Sequence, residues 1–299
     1  MDNQKKAYIY AVSAVLFWST AASAFKLTLR YANALQLLLF SSCTSLAALL
    51  LILLFQGKMP LLFASSKRDL FRSLCIGGLN PFLYYLVLFR AYSILPAQQA
   101  LTLNYTWPIM LVLLSIPLLK QRITGRSILA LAISFFGVIV ITTHGDFTSL
   151  RFSEPVGVSL ALGSSVVWGL FWILNLRDRR DEVVKLFLNF VFGTVLIFPV
   201  TFLFTPVTFP GFPGIFGTIY VGLFEMGITF VLWLKGLQTS NTTAHVGNLV
   251  YIAPFLSLMF IRVVVGEIIA VSTVAGLVCI TAGIMLQEHE RRESEYMRK

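Results

Sequence analysis

Two polar-aromatic runs interrupt segments that are otherwise apolar enough to enter a bilayer. The first, Thr102-Leu103-Asn104-Tyr105-Thr106-Trp107-Pro108, lies within the stretch 98–117; the second is Asn248-Leu249-Val250-Tyr251-Ile252-Ala253-Pro254. On a helix, Gln98, Thr102 and Tyr105 share one face with Trp107 beside it, and His245, Asn248 and Tyr251 share another. Amides and hydroxyls set beside aromatic rings suit the binding of a small solute. The rings take an apolar body or an ammonium group, and the polar groups fix its orientation. Trp18 and Trp168, each near the middle of an apolar run, extend this set, as do Asn80, Tyr84 and Glu225. Glu225 is the single acidic residue near the centre of such a run, where a charge costs about 2.5–3.5 kcal/mol on the insertion scale. It reads either as a proton- or ammonium-binding carboxylate or as a structural hydrogen-bonding group. The same residue types also bond packed helices together and sit in interfacial belts, so packing stands as the alternative for each candidate. Pro108 and Pro254 loosen one turn of their helices at matching places and are candidate hinges.

Other chemistries find no support. There is no paired-His metal motif, no Gly-x-Ser-x-Gly nucleophile elbow, no carboxylate cluster and no Gly-rich Lys-Ser/Thr loop for a nucleotide. His144, His245 and His289 are far apart, and Cys43, Cys75 and Cys279 lack metal-ligand spacing. No enzyme activity, metal or cofactor is expected. A non-transporting scaffold would not require matched polar faces.

The elements that must carry these residues follow from composition. The 299 residues are 57% hydrophobic and 12% charged, against about 25% charged in a soluble domain. Hydropathy gives ten spans, roughly 8–29, 35–55, 71–91, 98–118, 127–143, 156–176, 184–204, 214–235, 243–264 and 268–286. The first continues past a signal-peptide-like Ala22-Ser23-Ala24, so it reads as a retained helix. With the N-terminus inside, the outer segments hold only Arg30, Arg90, Arg151 and Arg262. Every other Lys and Arg falls on the inner side except Lys26, which lies in the first span and is expected either to snorkel to the headgroups or to meet a substrate carboxylate. The positive-inside rule then places both termini in the cytoplasm and explains the net charge of +10 without nucleic acid.

The chain also repeats itself. Tyr105, Pro108 and Gly137 return as Tyr251, Pro254 and Gly283, each 146 positions on, and Asn80 pairs with Glu225 when Arg90 is matched to Lys235. Five spans per half is an odd number, so the halves must enter the membrane from opposite sides. The expected fold is an all-α membrane protein of ten transmembrane helices, two inverted five-helix repeats (1–145 and 146–299) around a central cavity.

Leu16-Phe17-Trp18-Ser19-Thr20 and Val166-Val167-Trp168-Gly169 resemble the openings of the two halves in drug/metabolite transporter superfamily proteins of the EamA type. The prolines of the fourth and ninth spans and Gly266-Glu267-Ile268-Ile269 at the following turn extend the likeness. Gln121 departs from the family's usual Gly-Glu-Arg-Leu-Thr at the corresponding turn of the first half. The chain is most similar to bacterial amino-acid exporters of the YddG type. That resemblance implies a secondary transporter of the bacterial inner membrane exporting aromatic and other amino acids or related metabolites by alternating access. Export of drugs, organic cations or sugars is the alternative. The implied partners are a small-molecule substrate and the lipid bilayer; oligomeric state stays open.

Overall fold

The computed structural model describes residues 3–119, 125–146, 154–206, 208–240 and 248–296, and among these every regular element is helical. Eight helices are long and apolar enough to cross a membrane: α1 (Asn3–Thr28), α2 (Ala34–Phe55), α3 (Lys67–Ile94), α4 (Ala97–Leu118), α5 (Gly125–Thr142), α6 (Pro155–Asn175), α7 (Glu182–Phe204) and α8 (Gly211–Thr239). Two shorter apolar helices follow, α9 (Leu249–Val265) and α10 (Val271–Leu286), the latter continuing helically to Tyr296. The ten full-length spans expected from hydropathy are thus eight long and two short among the described residues. Residues 243–247, expected to open the ninth, lie outside the described set. The tenth starts later than expected because 268–270 is held extended by Gln98. Its Nε2 donates to Ile268 O (2.9 Å) and its Oε1 accepts from Ala270 N (2.8 Å).

Local chemistry sets the helix ends. Asn33 accepts from Leu35 N and Gln36 N while Gln36 Oε1 accepts from Asn33 N, a capping box that starts α2. Ser66 and Asp69 build the same device at α3. Asp181 accepts from Val183 N and Val184 N to start α7. Gly266, in the left-handed region at φ 81°, ends α9.

Two helices are broken in the middle. In α3 the segment Gly78–Leu83 widens to a π turn and Asn80 leaves helical geometry. The ring of Pro81 removes a donor and disfavours helix at the residue before it. In α8 the segment Gly222–Gly227 widens likewise, and Glu225 stands in it. Here side chains take up freed carbonyls: Thr229 Oγ1 donates to Phe224 O, and Trp18 Nε1 to Glu225 O at 3.4 Å. Such breaks are tolerated at membrane depth when protein or a wet cavity satisfies the backbone.

The helix pairings come in exchanged couples. The break of α8 packs on α2, and the break of α3 packs on α7. The α1 helix packs against α8 and α9, and α6 against α3 and α4. The α5 and α10 helices pack on each other, and small residues allow it. A Cβ at Gly137 would stand 2.6 Å from Gly276 O, and one at Gly283 would stand 2.6 Å from Ala130 O. Ser134 Oγ reaches Ile280 O at 3.5 Å. The outer surface is apolar: Phe55, Phe71, Phe202, Phe204, Phe216 and Val263 are all exposed. A soluble protein rarely leaves so much uncovered, and lipid covers it here. Cys75 is on this exposed surface.

Candidate functional site

Side chains from α1, α3, α4, α6, α8 and α9 meet at a cavity of about 110 Å³ in the middle of the bundle. Helical spacing explains the convergence. Trp18, Ala21, Ala22 and Phe25 form one face of α1, and Tyr84, Leu88 and Tyr92 follow each other at single-turn intervals on α3. The α4 helix contributes Leu101, Asn104, Tyr105 and Trp107; α6 contributes Trp168 and Trp172; α8 contributes Glu225 and Trp233.

All five tryptophans of the chain line this one cavity. None is left for an interfacial belt, so the belt alternative is set aside for Trp18 and Trp168. Their rings interlock. Trp168 stacks on Tyr84 at 4.4 Å and meets Trp172 edge-on at 5.9 Å, while Trp18 lies 5.4 Å from Trp233 and 5.8 Å from Phe230. Rings in contact stiffen one another, which gives the cavity a preformed shape.

The polar groups are few. Tyr85 Oη donates to Glu225 Oε1 at 3.1 Å. Tyr84 Oη donates to Asn104 Oδ1, and Asn104 Nδ2 donates to Ser164 Oγ at 2.9 Å. Tyr105 Oη donates to Val250 O at 3.4 Å, joining α4 to α9. Among the described residues, Trp172 Nε1 is buried with no partner.

Six of the residues expected from sequence therefore stand on the wall: Trp18, Tyr84, Tyr105, Trp107, Trp168 and Glu225. Thr102 is fully buried, with its hydroxyl turned back to Gln98 O at 2.7 Å. Asn80 is buried in the break of α3 with both amide atoms unpaired, away from the wall. Tyr251 packs on the adjoining core, and its neighbour Val250 takes the place on the wall. Asn248 opens a short 3-10 turn, Asn248–Ile252, and His245 lies outside the described residues. Trp172, Trp233, Phe25, Tyr92 and Asn104 are additions that sequence reading missed. Trp172 sits one turn after Trp168 and Trp233 two turns after Glu225, so helical spacing from those anchors would have found both.

Pro108 and Pro254 do not kink continuous helices. Residues 105–106 form a turn in α4, and helix resumes at Trp107 with Pro108 second. In α9 helix begins at Ala253 with Pro254 second. Both occupy the first turn, where a missing N–H is harmless.

Beside the wall residues Phe25 and Tyr92, distant segments are tied together. Phe25 packs edge-on against Phe89 and Tyr92 at 4.9 and 5.2 Å. Lys26 does not reach outward as expected; Nζ donates to Tyr92 O (3.0 Å) and Leu95 O (2.6 Å), the free carbonyls at the end of α3. Glu267 accepts from Ala97 N (2.8 Å) and Gln98 N (3.2 Å) at the start of α4.

At the opposite end of α3, Arg180 forks onto Asp178, with Nε 3.0 Å from Oδ1, and also donates to Ser73 Oγ and Asp69 O. Burial raises the proton affinity of the Asp178 carboxyl, but the Arg180 hydrogen bonds and charge outweigh it and hold the group below the usual carboxylate range.

Among the described residues, no group of three or more His, Cys, Asp or Glu side chains is placed to hold a metal ion. The profile of the EamA-like transporter family matches two stretches of the sequence, residues 5–143 and 155–287. The chain belongs to the EamA-like transporter family. An uncharacterized transporter of Archaeoglobus fulgidus is 23% identical over 96% of this chain and 100% of its own length. An uncharacterized transporter of Clostridium kluyveri is 24% identical over 61% of this chain, and the match spans 60% of that protein. A protein of Ancylobacter novellus named aromatic amino acid exporter YddG is 27% identical over 63% of this chain and 65% of its own length. A solved crystal structure superposes with a TM-score of 0.68 at 22% identity, covering 97% of this chain and 99% of that one. As an EamA-like transporter, the chain is a multi-pass membrane protein that moves a small molecule.

Proposed function

We propose that this EamA-like transporter is a secondary exporter of aromatic amino acids and related small ammonium-bearing metabolites, working by alternating access between two inverted five-helix halves, 1–145 and 146–299. The observation that carries the substrate class is the convergence of all five tryptophans on one cavity, and the relative named as an aromatic amino acid exporter points the same way. Aromatic faces are the surface on which an indole or phenyl side chain gains most.

The halves are supported by three independent features. The family profile matches twice. The breaks at Gly78–Leu83 and Gly222–Gly227 fall at equivalent places and pack on exchanged partners. The contacts of α5 with α10 are reciprocal: Gly137 on Gly276 and Gly283 on Ala130 exchange when each residue is moved by 146 positions. That reciprocity is what a two-fold axis between α5 and α10 produces. The positive-inside charge pattern supports cytoplasmic termini in a bacterial inner membrane and puts the Glu267–Ala97 end outside. Release to that side then requires α4 and the α9–α10 turn to part, and the turn at 105–106 and the change from 3-10 to α-helix before Pro254 are where those helices would bend.

The test is flux in proteoliposomes of the purified protein with labelled tryptophan, phenylalanine, threonine and lysine, with and without a pH gradient. Tryptophan and phenylalanine should move fastest. Flux of sugars alone, with every amino acid static, would remove the substrate class and leave the architecture.

A further inference from the structure

Among the described residues, Glu225 is the one charged side chain on the cavity wall. Its carboxylate receives a single hydrogen bond, from the neutral Tyr85 hydroxyl. A carboxylate in an aromatic chamber at membrane depth calls for a positive counter-charge or a proton, since neutral donors alone do not repay its lost hydration. What surrounds it is suited to a cation. Tyr85 stands 4.7 Å from Tyr84, whose ring stacks on Trp168, and Trp18 binds the backbone carbonyl of Glu225 itself. Electron-rich ring faces beside a carboxylate form a receptor for an ammonium group carried on an apolar body.

Among the described residues, the same wall offers a substrate carboxylate no cationic partner. Lys26 lies one residue beyond the wall residue Phe25, yet its ammonium is turned to Tyr92 O and Leu95 O and tied there by two hydrogen bonds. Among the described residues, the unpaired donor that remains buried at the cavity is Trp172 Nε1, a neutral N–H that suits a carbonyl or hydroxyl oxygen better than it balances a full negative charge.

We propose that this cavity selects monocationic aromatic amines over zwitterionic amino acids, with Glu225 holding the ammonium group and the tryptophan and tyrosine rings holding its aromatic body. The inference rests on the reading of this cavity as the transport site and ranks the solutes within it. An amino acid pairs its ammonium with Glu225 and leaves its carboxylate buried and uncompensated. An amine has no such group.

The experiment compares two indoles of opposite charge balance. N,N,N-trimethyltryptammonium is permanently cationic and does not leak through bilayers as a free base, and tryptophan is the zwitterion. Binding of each labelled compound to the purified full-length protein is measured by equilibrium dialysis, and flux in proteoliposomes. The cation should bind at least tenfold more tightly than tryptophan. Glu225→Gln should weaken cation binding at least tenfold, with unchanged circular dichroism and elution volume. The rank order in the unaltered protein needs no variant and stands if Glu225→Gln fails to fold. Tryptophan binding as well as the cation overturns the inference, as does cation binding that survives in a folded Glu225→Gln protein. If tryptophan moves and the cation does not, the inference falls while the amino-acid reading of the cavity stands. If neither binds nor moves, both fall together.

Discussion

Glu267 and Ala97 are joined across 170 residues: the carboxylate Oε1 of one accepts the backbone N–H of the other at 2.8 Å, and Oε2 takes the next amide, Gln98 N. A side chain from the turn between α9 and α10 thus does for α4 what an N-cap residue does for its own helix. Negative charge at that position also meets the positive end of the helix dipole.

Glu267→Ala should lower stability by about 1–2 kcal/mol, the upper part of the N-cap range, because two amide donors lose their acceptor together. Glu267→Gln keeps one carbonyl acceptor and should lose less. Thermal melts of the purified variants in detergent read the difference. An alanine variant that melts with the wild type would show that water replaces the cap without cost.

Arg180 is the second cross-link that a single substitution removes. Asp178 has a fully buried side chain, and Arg180 is its forked partner. Arg72 remains 3.8 Å from Asp178 on the exposed side, so Arg180→Ala should destabilise by about 3 kcal/mol, the lower part of the cost of breaking a buried pair. Adding Asp178→Asn should recover part of that loss, because the stranded charge goes with it. A double variant no more stable than the single would count against stranding as the cause.

The same pair sets an acid limit. Arg180 holds the Asp178 carboxyl below its ordinary value in the folded protein. A group depressed on folding adds stability above its unfolded value of about 3.9, and that stability is lost as pH falls through the folded value. Between neutral pH and about 5 the contribution should be constant. Below about 4, melting temperature should fall more steeply in the wild type than in the Arg180→Ala, Asp178→Asn double variant.

The wall residues found from sequence were those that break an apolar pattern with a chemistry of their own. Trp18, Tyr105, Trp168 and Glu225 lie at depths where lipid-facing helices carry aliphatic side chains, and all four are on the cavity. Thr102 shares a face with Tyr105, but its hydroxyl bonds the carbonyl one turn back, and periodicity cannot tell an inward hydroxyl from a back-bonded one. Lys26 was expected at the headgroups because a long side chain near a helix end usually reaches water; the carbonyls that hold it, at Tyr92 and Leu95, are 66 and 69 residues away. The late start of α10 has the same origin, since Gln98 holds 268–270 extended from another part of the chain. Local propensity carries no trace of either.

The contact between α5 and α10 gives a steric test. A methyl group at Gly137 would meet Gly276 O at 2.6 Å, backbone that cannot step aside alone. Gly137→Ala should therefore cost about 1–3 kcal/mol by overpacking. Gly163 is the control, a helical glycine with nothing within 4 Å of the new methyl. Gly163→Ala should be neutral or gain up to about 1 kcal/mol from helix propensity. Equal melting temperatures for the two variants would mean that α5 and α10 separate more easily than their packing implies.

Trp168 is the wall residue whose ring has most to do. It stacks on Tyr84 at 4.4 Å and on Phe171 at 5.2 Å, and it touches the edges of Trp172 and Phe230. Truncation to alanine removes both the ring offered to a solute and the packing that holds its neighbours, and a large aromatic lost from a core costs about 3–5 kcal/mol. A transport defect in that variant would not distinguish the two. Trp168→Phe and Trp168→Leu separate them, because both fill much of the space and only one keeps a π face. If the ring binds the solute, kcat/KM for aromatic substrate flux should fall less than tenfold in the phenylalanine variant and at least tenfold in the leucine variant, at matched amounts of folded protein. A tenfold loss corresponds to about 1.4 kcal/mol, within the range of aromatic and cation–π contacts in a desolvated site. Equal losses in the two variants would assign Trp168 to packing and move the binding role to Trp18 and Trp233 on the facing wall.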